Sequence, residues 1–145
     1  MADESFLQPN DDTPIPVNNP EDSMPGLAGY VKSKFEDAEI ELVDLKSYNP
    51  EDLMPNIQYW LGEVHYAQKK FEKAILEFGE GLKKYPDSIK GPDNMLKLGL
   101  SFANLEKKNE ACNVFYELKV KYKSAPKNVL ERANSESEKL DCPKE

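Results

Sequence analysis

One histidine, His65, and two cysteines, Cys112 and Cys142, are the residues here with the most specific chemistry. His65 alone cannot hold a metal, and neither a second histidine nor a close cysteine cluster is present to complete a site. No serine or cysteine has a recognisable base partner, and there is no glycine-rich phosphate loop. Carboxylate pairs such as Glu36-Asp37 and Glu51-Asp52 could share a proton. A chain with 27 acidic residues forms such pairs readily on solvated surface, which is how we read them. These residues argue against an enzyme and call for no cofactor or metal. His65, in the segment EVHY, reads as a packed or half-buried helix residue. The cysteines lie 30 residues apart and invite a disulfide only in an oxidising compartment; elsewhere they are two unrelated thiols.

Charge narrows the partners. The net charge is −8, and residues 1–25 supply six acidic groups and no lysine or arginine. The other 120 residues carry 19 basic and 21 acidic groups, so they are nearly balanced. Neither part offers the basic patch that nucleic acid requires. No apolar run reaches the roughly 18 residues of a membrane helix, so no membrane insertion is expected. Residues 1–24 are proline-rich and acidic and read as a disordered linker or tail. They lack the basic and apolar regions of a signal peptide. The chain is therefore either cytoplasmic or a piece of a longer, exported protein.

The elements that position these residues are repeated. Asn19 opens NPEDSMP, and Asn49 opens NPEDLMP. Asn49 can cap a helical turn with its side chain, and Pro50 suits a first helical position. Beyond this joint the period is 37: Leu61-Gly62 recurs as Leu98-Gly99, Ala74 as Ala111, Phe78 as Phe115, and Tyr85 as Tyr122. Phe35 and Ala38 precede Phe71 and Ala74 by 36, while Pro25 precedes Pro55 by only 30, so the first copy is shortened.

Within each period the apolar spacing is helical. Trp60, Val64 and Ala67 share a face. Phe71, Ala74, Ile75, Phe78 and Leu82 form an amphipathic stripe. Met95, Leu98, Phe102 and Leu105 make the next first helix; Ala111, Val114, Phe115 and Leu118 make its partner. No segment alternates with period two, so no sheet is expected. Gly62 and Gly99 sit inside helices, where glycine costs about 1 kcal/mol relative to alanine. Close approach of a neighbouring helix explains them, with Ala74 and Ala111 as the facing small residues. Gly81 also reads as a close contact; Gly79 has no such explanation.

These residues resemble the tetratricopeptide repeat: Leu61, Gly62, Tyr66, Phe71, Ala74, Phe78, Gly81 and Pro86 in one unit, and Leu98, Gly99, Phe102, Ala111 and Phe115 in the next. The usual repeat is about 34 residues, and the extra ones fall in KYPDSIKGPDNM. The implied fold is an all-α solenoid of stacked helix pairs. It has a short first unit at 25–54, full units at 55–91 and 92–125, and a capping helix at 126–142. Together these make one domain, 25–145.

The longer joint and YWLGEVHYAQKKFEKAILEF are similar to the C-terminal repeat domain of the CpoB (YbgF) family of cell division coordinators, in the Tol-Pal system. The likeness covers about residues 55–142, and Cys112 with Cys142 resembles the alphaproteobacterial branch. The resemblance implies a non-enzymatic scaffold in the periplasm. It would coordinate outer-membrane constriction with septal peptidoglycan synthesis, with TolA and a bifunctional penicillin-binding protein as partners. Full-length relatives trimerise through an N-terminal coiled coil; without one, a monomer is expected. The alternative is a generic tetratricopeptide-repeat adaptor, either a cytoplasmic co-chaperone or an outer-membrane assembly lipoprotein, holding a partner peptide in its concave groove.

In this fold Tyr59, Glu63 and Tyr66 of one first helix, and Leu96, Leu100 and Ala103 of the next, face the concave groove. They are the expected peptide site; the plainer reading is that they only join helices. The helix ending near Tyr122 and the one returning after Pro126 run antiparallel. At about 1.5 Å per residue, this brings the region of Cys142 back beside Cys112. A disulfide there would pin the cap.

Overall fold

The computed structural model describes residues 27–144. The expectation for residues 1–24 lies outside them. Six helices follow in order: α1 Leu27–Ser47, α2 Met54–Ala67, α3 Phe71–Lys84, α4 Gly91–Asn104, α5 Lys108–Lys121 and α6 Lys127–Lys139. No strand occurs among the described residues.

Each helix packs on the next along the chain, α4 also touches α2, and α6 touches both α5 and α4. The pairs α2–α3 and α4–α5 are the two repeats. Among the described residues a single 21-residue helix, α1, precedes the two repeats. Phe35 is its one buried large apolar side chain among those described, and Leu42 lies against Met54, Ile57 and Leu61 of α2.

Proline stands in the first turn of both α2 and α4, where its missing N–H costs nothing. The joints between paired helices are built identically. Lys69 is left-handed, with φ 61°, and Glu106, 37 residues on, has φ 59°. Lys69 N–H donates to Tyr66 O at 2.9 Å and Lys70 N–H to His65 O at 2.9 Å. Glu106 N–H donates to Ala103 O at 3.0 Å and Lys107 N–H to Phe102 O at 2.9 Å. This is the Schellman arrangement, which satisfies the last carbonyls of a helix. Asn49 differs from expectation: it takes φ 50° after α1, and its N–H donates to Lys46 O. No side chain caps α2, whose cap residue is Leu53.

The helix-interior glycines also have a different neighbour from the one expected. A Cβ at Gly62 would collide with the Phe78 ring, and one at Gly99 would stand 2.5 Å from Phe115. The phenylalanine of each second helix lies directly on the glycine of its first helix. Ala74 and Ala111 are fully buried but are not what requires the glycines. Gly81 makes room for Asn94 of α4, 2.9 Å from where its Cβ would be, whereas Gly79 faces open space.

Candidate functional site: the inner faces of the first helices

Tyr59, Glu63 and Tyr66 project from α2, and Leu96, Leu100 and Ala103 from α4, at matching positions 37 residues apart. The structure closes this surface. Tyr59 is 0% exposed, Glu63 5%, Tyr66 6%, Leu96 9% and Leu100 3%; of the six, only Ala103 is half-exposed. In the free chain these side chains pack into a seam between α2 and α4, with Ala103 at its accessible edge. Two lysines close it. Lys97 Nζ lies 3.1 Å from Glu63 Oε1 and 4.4 Å from the centre of the Tyr66 ring. Lys90 Nζ lies 4.8 Å from the Tyr59 ring centre and 5.5 Å from that of Trp60. Both ammonium groups sit at cation–π distance, which holds the aromatic faces covered.

Lys97 occupies the place in α4 that Trp60 holds in α2, 37 residues earlier. It is 2% exposed, so Lys97 and Glu63 form a buried ion pair joining the repeats. At the far end of the seam, Asn104 Nδ2 donates to Leu100 O at 2.8 Å and approaches Tyr66 Oη at 3.3 Å. Solvent reaches the helix ends here, at Ala67, Gln68, Ala103 and Asn104. Near the other end, burial raises the Asp93 carboxyl above its usual pKa, against the pull of Lys90 and Lys97.

His65 is buried in a polar chain crossing α1, α2 and α3. Its Nε2 stands 3.7 Å from Glu39 and 3.9 Å from Glu77. Burial lowers its pKa; Glu39 and Glu77 oppose that shift, and Lys73 and Lys70 add to it. Gln58 belongs to the same polar network: it accepts from Lys46 Nζ at 2.9 Å and donates to Glu77 Oε1 at 2.7 Å and Glu77 O at 2.9 Å. This chain fastens α1. It contains no metal-binding cluster, nor does any other part of the described residues.

Cys112 of α5 is bonded to Cys142, with their Cα atoms 5.6 Å apart, a usual disulfide separation. A third Schellman turn delivers Cys142: Asp141 has φ 55°, and Cys142 N–H donates to Ser137 O at 2.9 Å.

Sequence reasoning missed Lys97 and Lys90. Their one signal was that Lys97 falls where the period calls for a tryptophan.

Residues 55–88 match a tetratricopeptide repeat family, and residues 93–125 match a second tetratricopeptide repeat family. No curated protein matches the chain. The two matched segments coincide with the helix pairs α2–α3 and α4–α5, and their Gly–Phe contacts recur at one period. The chain carries a tetratricopeptide-repeat domain, an all-α solenoid of the kind that serves as a protein-interaction scaffold.

Proposed function

We propose that this chain is a non-enzymatic protein-binding scaffold of the periplasm. It works in the Tol-Pal system, coordinating outer-membrane constriction with septal peptidoglycan synthesis. The observation that carries the reading is a tetratricopeptide array whose cap is closed by a disulfide. The repeats support protein binding, and a bridge of this kind suits an oxidising compartment. The likeness of YWLGEVHYAQKKFEKAILEF to the CpoB family supports the system and its partners, TolA and a bifunctional penicillin-binding protein.

The closed seam changes how binding works. Tyr59, Glu63, Tyr66, Leu96 and Leu100 form a floor that fixes α2 against α4. A partner meets the accessible end of that floor, around Ala103, Asn104, Ala67 and Gln68. Amphipathic segments are recognised in this way, by a few anchors within a polar rim.

Cell fractionation followed by affinity purification from the periplasm tests this reading. Recovery of the protein in the periplasmic fraction, with TolA and the synthase enriched over an untagged control, is the expected result. Recovery in the cytoplasm, or a periplasmic protein that brings down neither partner, contradicts it.

A further inference from the structure

Apolar packing is concentrated in the first half of α6, and the covalent bond lies just past its end. In its first half, Val129 is 3% exposed and Ala133 0%, and both belong to the main core. From Asn134 to Asp141 the one apolar side chain is Leu140, half-buried against the edge of the main core. Glu136 pairs with Arg132 at 2.9 Å and Lys139 at 3.3 Å, both on its own helix. Such pairs support a helix without fastening it to a neighbour. A 13-residue helix is marginal without tertiary support.

Between α5 and this second half lies an open cavity of about 910 Å³, lined by Tyr116, Lys119, Asn134 and Ser137 together with both cysteines. Its walls mix polar and apolar surface, and its open mouth admits water. Both cysteines of the disulfide lie in the wall of this cavity. Cys112 is 9% exposed, while Cys142 is half-exposed beyond the end of the helix. A thiolate in solution can reach Cys142 through the cavity.

We propose that the Cys112–Cys142 bridge is a reversible redox latch: reduction by a dithiol frees the second half of α6 while both repeats stay folded. One thiolate of the reductant attacks Cys142 Sγ. The S–S bond breaks, and Cys112 leaves as a thiolate that takes up a proton. The second thiol of the reductant then attacks the mixed disulfide. Cys142 is released as a thiol, and the reductant departs as its own disulfide. The two electrons come from the dithiol; an oxidised dithiol runs the sequence backwards and docks the helix again. The surface that changes is the α5 face carrying Asn113 and Tyr116, at the open end of the solenoid.

The full oxidised chain, treated with dithiothreitol in native buffer and quenched by alkylation, tests the latch. Mass spectrometry should show both thiols alkylated while circular dichroism retains the repeat helices. Hydrogen exchange at amides 134–142 should accelerate about tenfold or more, and that of α2–α5 should change less than about twofold. Cys142→Ser should show the fast exchange in oxidising and reducing buffer alike. Three results overturn the proposal: thiols alkylated before any reductant is added, a bridge reduced only in denaturant, or unchanged exchange at 134–142 in the reduced chain or in Cys142→Ser.

Discussion

Lys97 Nζ stands 3.1 Å from Glu63 Oε1, with both side chains buried, and this contact bridges the two repeats. Removing the cation strands a buried carboxylate. Lys97→Met should cost about 3–5 kcal/mol in urea unfolding, and the double variant Lys97→Met/Glu63→Gln should recover most of that loss. Additive losses in the double-mutant cycle would show that the two groups do not interact.

The helix-interior glycines should separate by what lies over them. Gly62→Ala and Gly99→Ala push a methyl into Phe78 and Phe115 and should destabilise by about 1–3 kcal/mol. Gly79→Ala meets open space and should stabilise by about 0.5–1 kcal/mol through helix propensity. Thermal or urea unfolding of the three variants reads the opposite signs.

The joints carry a cost that glycine would remove. Lys69 and Glu106 both hold positive φ, which side chains with a Cβ adopt at about 1 kcal/mol or more. Lys69→Gly and Glu106→Gly should each raise stability, less the extra chain entropy that glycine has when unfolded. A lower urea midpoint for both would contradict the left-handed assignment.

The fold was legible because Gly62 and Phe78 recur as Gly99 and Phe115 at one spacing, which marks two helix pairs. That each glycine lies beneath the phenylalanine of its own pair emerged only from the structure. The closure of the inner face was not legible. Whether Tyr59 and Tyr66 meet solvent depends on how closely α2 approaches α4, and on two lysine side chains lying across aromatic rings. Lysine in a sequence reads as solvated surface, so Lys97 gave no sign of burial beyond interrupting the period. The left-handed turns were equally hidden, since neither Lys69 nor Glu106 is a residue that favours positive φ.

His65 gives stability a pH dependence of definite sign. Its pKa in the folded protein lies below the ordinary 6.5, because burial disfavours the charged ring despite Glu39 and Glu77. The unfolded chain therefore binds the proton more tightly. This contribution is complete above pH 6.5 and is lost as pH falls from there toward the folded pKa. Melting temperature measured from pH 8 downward should fall across that window, and His65→Phe should flatten the fall. An unchanged slope in His65→Phe would assign the dependence to other groups.

A calorimetric titration of the oxidised full chain with the periplasmic part of TolA tests the central claim, that this domain is a protein-binding scaffold. Saturable binding, weakened about tenfold or more by Ala103→Arg while the variant keeps its helical spectrum, is the predicted result. A folded, disulfide-bonded chain that shows no heat of binding to TolA, or binds Ala103→Arg and the parent equally, would contradict the assigned system or the assigned surface respectively.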